Sequence, residues 1–273
     1  MDYRARRCSQ KNVPIDPLLL PAKACEAGVL AYHAALELHG YAPSEQPIIS
    51  YLIGHQGSIW SFRSYEFRPR KSPLALQRQG REEFGVVTVE RAGMPVRATS
   101  LARTFVDVLD RPDLGGGWEE IWRAVHSLDA LDIEETVEYA LLLGNQVTVS
   151  KVGFFLEQRA QELGVTQRQF DRLQEHSVSA WVKVRGLPLV PYMSAPRWRF
   201  SIPAPLVTGN WEGVTTEVHG ADEEGAEGVP LIPLERRQTT LVPGQRWRKA
   251  LRGPSRKAEL ESSLPSPLVP CSS

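Results

Sequence analysis

The sequence predicts an α+β domain in which a small mixed or antiparallel sheet precedes a bundle of four to five helices. Residues 47–99 are rich in β-branched and aromatic side chains that alternate with polar ones, as in strands. Residues 100–164 place apolar side chains at helical spacing between capping and glycine signals. Residues 197–203 alternate again and predict a closing strand. Strands followed by a run of helices are typical of α+β domains.

The strand-rich part comes after a short helix predicted over residues 29–38. We expect three to five strands in the sheet. The last two strands form a hairpin that turns at Ala92 and Gly93. The clearest predicted strands cover residues 48–53, 59–67, 86–91 and 95–98.

The first bundle helix begins after Ser100, whose hydroxyl can accept a hydrogen bond from the first turn. It ends at Arg111, because a residue followed by proline is pushed out of the α region. Glycines at 115–117 then form a flexible joint, and a second helix begins at about Trp118.

A third helix opens at Asp132, whose carboxylate can cap the first turn, and ends at Gly144. A fourth helix is predicted over residues 147–163 and ends at Gly164. Gly153 lies inside it and costs up to ~1 kcal/mol relative to alanine. A close backbone approach is therefore predicted at Gly153.

Three segments are predicted along the chain. Residues 1–27 are a disordered segment or a remnant linker, and residues 28–207 are the folded domain, which includes a fifth helix over residues 167–175. Residues 208–273 are rich in proline, glycine, serine and charge, and predict a tail of low order.

The composition excludes several classes of protein. A chain of 273 residues with 42% hydrophobic content can bury a core, and its zero formal net charge creates no global attraction to nucleic acid. Three widely spaced cysteines without a C-x-x-C motif argue against a disulfide framework or a zinc site. No apolar run approaches the ~18 residues of a membrane span. We expect a cytoplasmic protein with no membrane contact, metal, cofactor or small-molecule substrate.

Several short motifs resemble, in their order, the C-terminal domain of AbiEi-type antitoxins of bacterial abortive-infection systems. The motifs are residues 28–40, RTFVD at 103–107, a glycine joint, VGFFLE at 152–157, and a terminal Leu-Gly at 163–164. The resemblance covers about residues 28–207. The family usually has Pro-Glu before Arg-Thr, where this chain has Leu101 and Ala102. The motif residues are Arg103, Asp107, Gly116, Gly153, Glu157 and Gly164.

The resemblance implies a function. Family members are transcriptional regulators that repress their own operon through an N-terminal winged helix and neutralise a nucleotidyltransferase-like toxin through the C-terminal domain. A winged helix-turn-helix needs about 60 residues, more than precede Gly28. We therefore expect an antitoxin that lacks an evident DNA-reading module and has a nucleotidyltransferase-like toxin as partner.

Two basic clusters are candidates for a weak DNA contact. Cationic side chains bind phosphates, and interleaved aromatic side chains can stack on bases. The alternative for the first cluster is a strand with an aromatic core face and a charged outer face, and for the second a solvated tail. The clusters are Arg63, Arg68, Arg70 and Lys71 in the strand region, and Arg246, Arg248 and Lys249 near the C-terminal end.

Arg103 and Asp107 stand four residues apart on the first bundle helix. An exposed ion pair at this spacing stabilises a helix by about 0.2–0.5 kcal/mol. The pair is interpreted as a structural anchor, with a partner-facing role as the alternative.

The motifs of common catalytic sites are missing. No acidic residue stands two positions before a lysine, as a D/E-x-K nuclease requires, and the nucleotide-binding, zinc-protease and serine-hydrolase motifs are also missing. The sequence therefore predicts a protein that is not an enzyme. The antitoxin hypothesis has two alternatives, a nucleic-acid-associated module without a toxin partner and a degraded member of a nuclease-linked family.

Overall fold

The computed structural model describes residues 15–25 and 27–214. These residues form a mixed α+β structure with a six-stranded sheet, a helical half and a small three-stranded sheet, which confirms the predicted fold class. The predicted low-order tail beyond residue 214 and its candidates Arg246, Arg248 and Lys249 lie outside the described residues, as do residues 1–14.

The large sheet is mixed. Its strand order is β3-β4-β2-β1-β6-β5, with β1 parallel to β6, β2 parallel to β4, and the other neighbours antiparallel. Since β2 and β4 run parallel, the segments that follow them leave the sheet at one edge. The strands are β1 (Val29–Leu30), β2 (Ile48–Leu52), β3 (Trp60–Phe62), β4 (Tyr65–Arg70), β5 (Val86–Arg91) and β6 (Met94–Thr99).

The helical half follows the sheet in the chain. Ser100 caps its first helix, since the Ser100 hydroxyl accepts a hydrogen bond from the Arg103 amide at 3.1 Å, and Asp132 caps a later helix in the same way. The helices are α1 (Leu19–Ala24), α2 (His33–Leu38), α3 (Leu74–Gln79), α4 (Leu101–Asp110), α5 (Trp118–Ser127), α6 (Ile133–Leu143), α7 (Gln146–Gln158), α8 (Gln167–Glu175) and α9 (Pro205–Thr208).

A three-stranded sheet closes the described chain. Its order is β7-β9-β8, with β9 parallel to β7 and antiparallel to β8. The predicted closing strand over residues 197–203 is shorter than expected, because a 3-10 turn occupies Pro196–Trp198. The strands are β7 (Val182–Lys183), β8 (Tyr192–Ala195) and β9 (Phe200–Pro203).

Apolar side chains pack on both faces of the large sheet. Ile49 and Phe67 belong to one cluster, which also contains Leu18 from the turn before α1. Leu52 belongs to the larger core of the helical half. Successive side chains of a strand point to opposite faces, which accounts for the division between Ile49 and Leu52. Leu18 is fully buried, so the folded structure begins before the predicted boundary at residue 28.

Two predicted helix boundaries are wrong. The predicted helix over residues 29–38 is a strand, β1, followed by α2, because β1 lies in the sheet between β2 and β6 and periodicity does not distinguish short buried strands from helices. The predicted helix over residues 147–163 ends at Gln158, and a turn leads to Gly164. Across the described residues, every helix is too short or too polar to cross a membrane.

Candidate functional site

Arg103 and Asp107 lie in the protein core, not on an exposed helix face. Their side chains are 0% and 2% exposed, and Arg103 Nε lies 3.5 Å from Asp107 Oδ2. The Tyr139 hydroxyl of α6 donates a hydrogen bond to Asp107 Oδ1 at 2.5 Å. This burial corrects the exposed-pair energy expected from spacing alone, and it leaves no surface of the pair for a partner protein to contact.

Arg103 also joins α4 to the segment before β5. Its Nη1 donates hydrogen bonds to the carbonyl oxygens of Glu82 at 2.8 Å and Phe84 at 2.5 Å. The guanidinium carbon lies 5.4 Å from the centre of the Tyr139 ring, a cation–π distance. Arg103 Nε and Nη2 and Asp107 Oδ2 have no hydrogen-bond partner among the described residues. The ion pair therefore depends on charge attraction in a dry environment.

Burial raises the pKa of Asp107 from 3.8 to about 6, while the Arg103 charge and the Tyr139 hydrogen bond act in the opposite direction. The folded state thus binds this proton more tightly than the unfolded state. The stability from Asp107 is fully present below its unfolded pKa of 3.8 and is lost as pH rises through 6.

We expect the free energy of unfolding to fall by on the order of 3 kcal/mol between pH 4 and pH 7 through Asp107. Urea unfolding at successive pH values measures this change. Asp107→Asn keeps an acceptor for Tyr139 but cannot titrate, so the stability difference between wild type and variant should vary with pH over that range. A pH-independent difference would contradict the assignment.

Gly153 of α7 lies directly against the fully buried ring of Trp198. A Cβ atom at Gly153 would come within 2.1 Å of Trp198 Cη2. Trp198 Nε1 donates a hydrogen bond to Glu157 Oε2 at 2.8 Å, and Glu157 Oε1 accepts one from Arg197 Nη1 at 2.9 Å. The close neighbour of Gly153 is thus a side chain, and Gly153 and Glu157 together hold the Pro196–Trp198 turn on α7.

Gly116 and Gly164 have structural roles at chain turns. Their φ angles are +88° and +66°, in the region that glycine adopts most readily. A Cβ atom at Gly116 would lie 2.9 Å from atoms of both Gln46 and His33. Gly116 therefore meets two requirements, a left-handed backbone and a close approach.

The structure separates the four basic residues of the strand region. Arg68 forms an ion pair with Glu66 on the same strand, and Arg63 lies over the Phe62 ring, 5.4 Å from its centre. Phe67 is fully buried and stacks on Trp60 with 3.9 Å between ring centres, so it is not available to stack on a base.

Arg70 and Lys71 instead meet at the end of β4. They line a pocket together with His55 and Gln56, which come from the loop after β2. Sequence reasoning missed these two partners, because only the parallel pairing of β2 with β4 brings the loop to Arg70.

Metal ligands were not expected from the sequence. Over residues 15–25 and 27–214, no group of three His, Cys, Asp or Glu side chains is arranged to hold a metal ion.

The fold and these contacts define a mixed α+β protein whose motif residues act as packing and charge anchors. No family model matches the sequence, and no curated protein matches it. Among solved structures, the RV2827C protein from Mycobacterium tuberculosis is similar to this chain at 13% identity, with a TM-score of 0.44. The match covers 71% of this chain and 71% of that chain. A similarity at this level assigns no function.

Proposed function

We propose that this chain is the antitoxin of a bacterial abortive-infection pair and that its partner is a nucleotidyltransferase-like toxin. The pair acts in the cytoplasm. The observation that carries the proposal is that each AbiEi-like motif residue has a position that requires its residue type or uses its specific chemistry. These residues are Arg103, Asp107, Gly116, Gly153, Glu157 and Gly164.

The physical requirements differ between the motif residues. Arg103 supplies a buried charge and two hydrogen bonds, and Gly153 leaves space for an indole ring. Residues with such distinct roles support a shared helical architecture better than residues of similar composition would. The resemblance therefore concerns the helical half that, in the family, neutralises the toxin.

Exposed apolar side chains near the small sheet support a protein partner. Trp181, Leu189 and Met193 are 58%, 104% and 41% exposed. Single exposed apolar residues are ordinary, whereas several close together are typical of protein-binding surfaces. We name residues 181–193 the apolar segment and expect it to contact the toxin.

Co-expression with the neighbouring nucleotidyltransferase-like gene tests the proposal. We expect wild-type protein to restore growth that the toxin alone arrests, because a bound antitoxin blocks the toxin. Growth curves under separate induction of the two genes measure the effect. Gly153→Val, which should disrupt the packing of the helical half, is expected to lose rescue and so excludes an effect of the transcript. Soluble wild-type protein that fails to restore growth would refute the antitoxin function.

Surface variants distinguish the contact region. Trp181→Ser combined with Leu189→Ser should reduce rescue at unchanged thermal stability. Ile59→Ser is the matched control, since Ile59 is 63% exposed next to β3 and outside the apolar segment. Equal rescue by both variants would assign the toxin contact to another surface.

A further inference from the structure

A pocket with a volume of about 170 Å³ lies where β2 and β4 end. Ligands of open sheets commonly bind outside the carboxyl ends of parallel strands. Liquid water occupies about 30 Å³ per molecule, so the pocket has room for a group of several heavy atoms. Its polar lining comes from His55, Gln56, Arg70 and Lys71, and it contains no carboxylate.

Arg70 has an unused hydrogen-bond donor in this pocket. Its Nε is buried and has no hydrogen-bond partner among the described residues. A buried donor without an acceptor is unfavourable and indicates that water or an ion supplies the acceptor. Arg68, two residues earlier on the same strand, is neutralised by Glu66. The two arginines share a strand and differ in their charge partners.

The wall of the pocket is fixed by the loop after β2. The Ile53 amide donates a hydrogen bond to the Arg70 carbonyl at 2.9 Å, which ties the start of the loop to the end of β4. A Cβ atom at Gly57 would lie 2.5 Å from Ile53 Cδ1 and 2.8 Å from Pro69 Cβ, so only glycine allows the loop to pack this closely. Within the described part of the chain, the amide groups of residues 54–57 donate to no backbone carbonyl.

We propose that this pocket binds a phosphate group. A guanidinium and an ammonium offer up to eight N–H donors between them, and the side chains of His55 and Gln56 lie beside them. A carboxylate has two oxygen atoms to accept these bonds, whereas a phosphate group presents three strong acceptors. Arginine also binds phosphate through two parallel hydrogen bonds. The inference stands independently of any toxin partner.

Nearby carboxylates confine the positive charge to the Arg70 side. An adjoining pocket of about 220 Å³ shares Ile53 and Lys71 with the first and is also lined by Glu82 and Glu83. Glu83 is paired with Arg97. Arg70 lines only the carboxylate-free pocket of the two, so we assign the phosphate to that pocket.

The phosphate can belong to a small phosphorylated ligand or to a nucleic-acid backbone. Amide NMR spectra of the full chain, titrated with sodium phosphate, test the shared chemistry. We expect saturable shifts at residues 53–57 and 70–72, and no such shifts with sodium chloride at equal ionic strength. A parallel titration with a short oligothymidylate, at several salt concentrations, distinguishes the two sources.

Three variants make the test specific. Arg70→Met keeps an apolar stem of similar length and should weaken phosphate binding about tenfold or more, because charge-assisted hydrogen bonds are the strong ones. Lys71→Met changes an exposed residue that the fold does not need and should also weaken binding. Arg68→Met is the matched control on the same strand and should leave the affinity within about twofold.

The outcomes are distinct. Phosphate shifts that depend on Arg70 and Lys71 support the site, and competition by the oligonucleotide at low salt assigns it to a nucleic-acid backbone. Phosphate binding without oligonucleotide binding assigns it to a small ligand. Equal shifts with chloride, equal loss in Arg68→Met, or no phosphate shift with wild-type protein would overturn the proposal, whatever the result of the toxin assay.

Discussion

Replacing Arg103 with leucine is expected to lower the free energy of unfolding by about 3–5 kcal/mol. Arg103 is completely buried, and its removal leaves the Asp107 carboxylate and two carbonyl oxygens without their partner. A buried charge without a partner is far more costly than the pair, because the lost hydration is no longer offset. Urea unfolding monitored by circular dichroism measures the change.

An exposed pair of the same kind is the control for Arg103. Arg123 and Glu119 on α5 also stand four residues apart, but Arg123 is 52% exposed. Arg123→Leu should cost about 0.3–0.5 kcal/mol, the usual effect of an exposed helix pair. The double variant Arg103→Leu with Asp107→Asn should be less destabilised than the sum of its single variants, since neither charge is then left alone. Similar losses for Arg103→Leu and Arg123→Leu would show that burial of the Arg103 pair has no energetic consequence.

Replacing Gly153 with alanine is expected to destabilise the protein by about 3 kcal/mol, at the upper end of the usual cost of overpacking. Alanine favours a helix by about 1 kcal/mol over glycine, so propensity alone predicts the opposite sign. The Trp198 ring is fully buried and bonded to Glu157, so it cannot move away without losing that hydrogen bond. Thermal and urea unfolding of the variant give the sign directly.

A double-variant cycle identifies the cause of the Gly153 effect. In a Trp198→Phe background the ring is smaller, and Gly153→Ala should then cost less than about 1 kcal/mol. Glu157→Gln tests the other contact, because the amide oxygen can still accept from Trp198 while the charge opposite Arg197 is lost. An alanine effect that is equally large in the Trp198→Phe background would mean that the indole is not the cause.

Much of the fold is predictable because its signals are local. The Ser100 and Asp132 caps act within one helical turn, and the hairpin of β5 and β6 forms around two residues, Ala92 and Gly93. Gly164 ends its turn with a left-handed backbone, as its position after an apolar helix indicates. Such features depend on neighbours in the chain, so they are visible without knowledge of distant contacts.

The candidate site is less predictable because its properties are long-range. Arg68 and Arg70 look alike in sequence, yet one meets a carboxylate and the other lines a pocket completed by the loop after β2. No periodicity in β4 reports which strand will pair with it. The pocket therefore becomes visible only when β2 and β4 are parallel neighbours.

The amino-acid sequence alone determines where most helices and strands begin, which side chains are apolar, and which chemistries have no motif. Tertiary structure decides the burial of Arg103 with Asp107, although the spacing of this pair is the same as that of the exposed Arg123 and Glu119. It also decides that Gly153 meets Trp198. The physical reason is that capping and turn energies act between chain neighbours, whereas burial and charge pairing depend on segments that folding brings together.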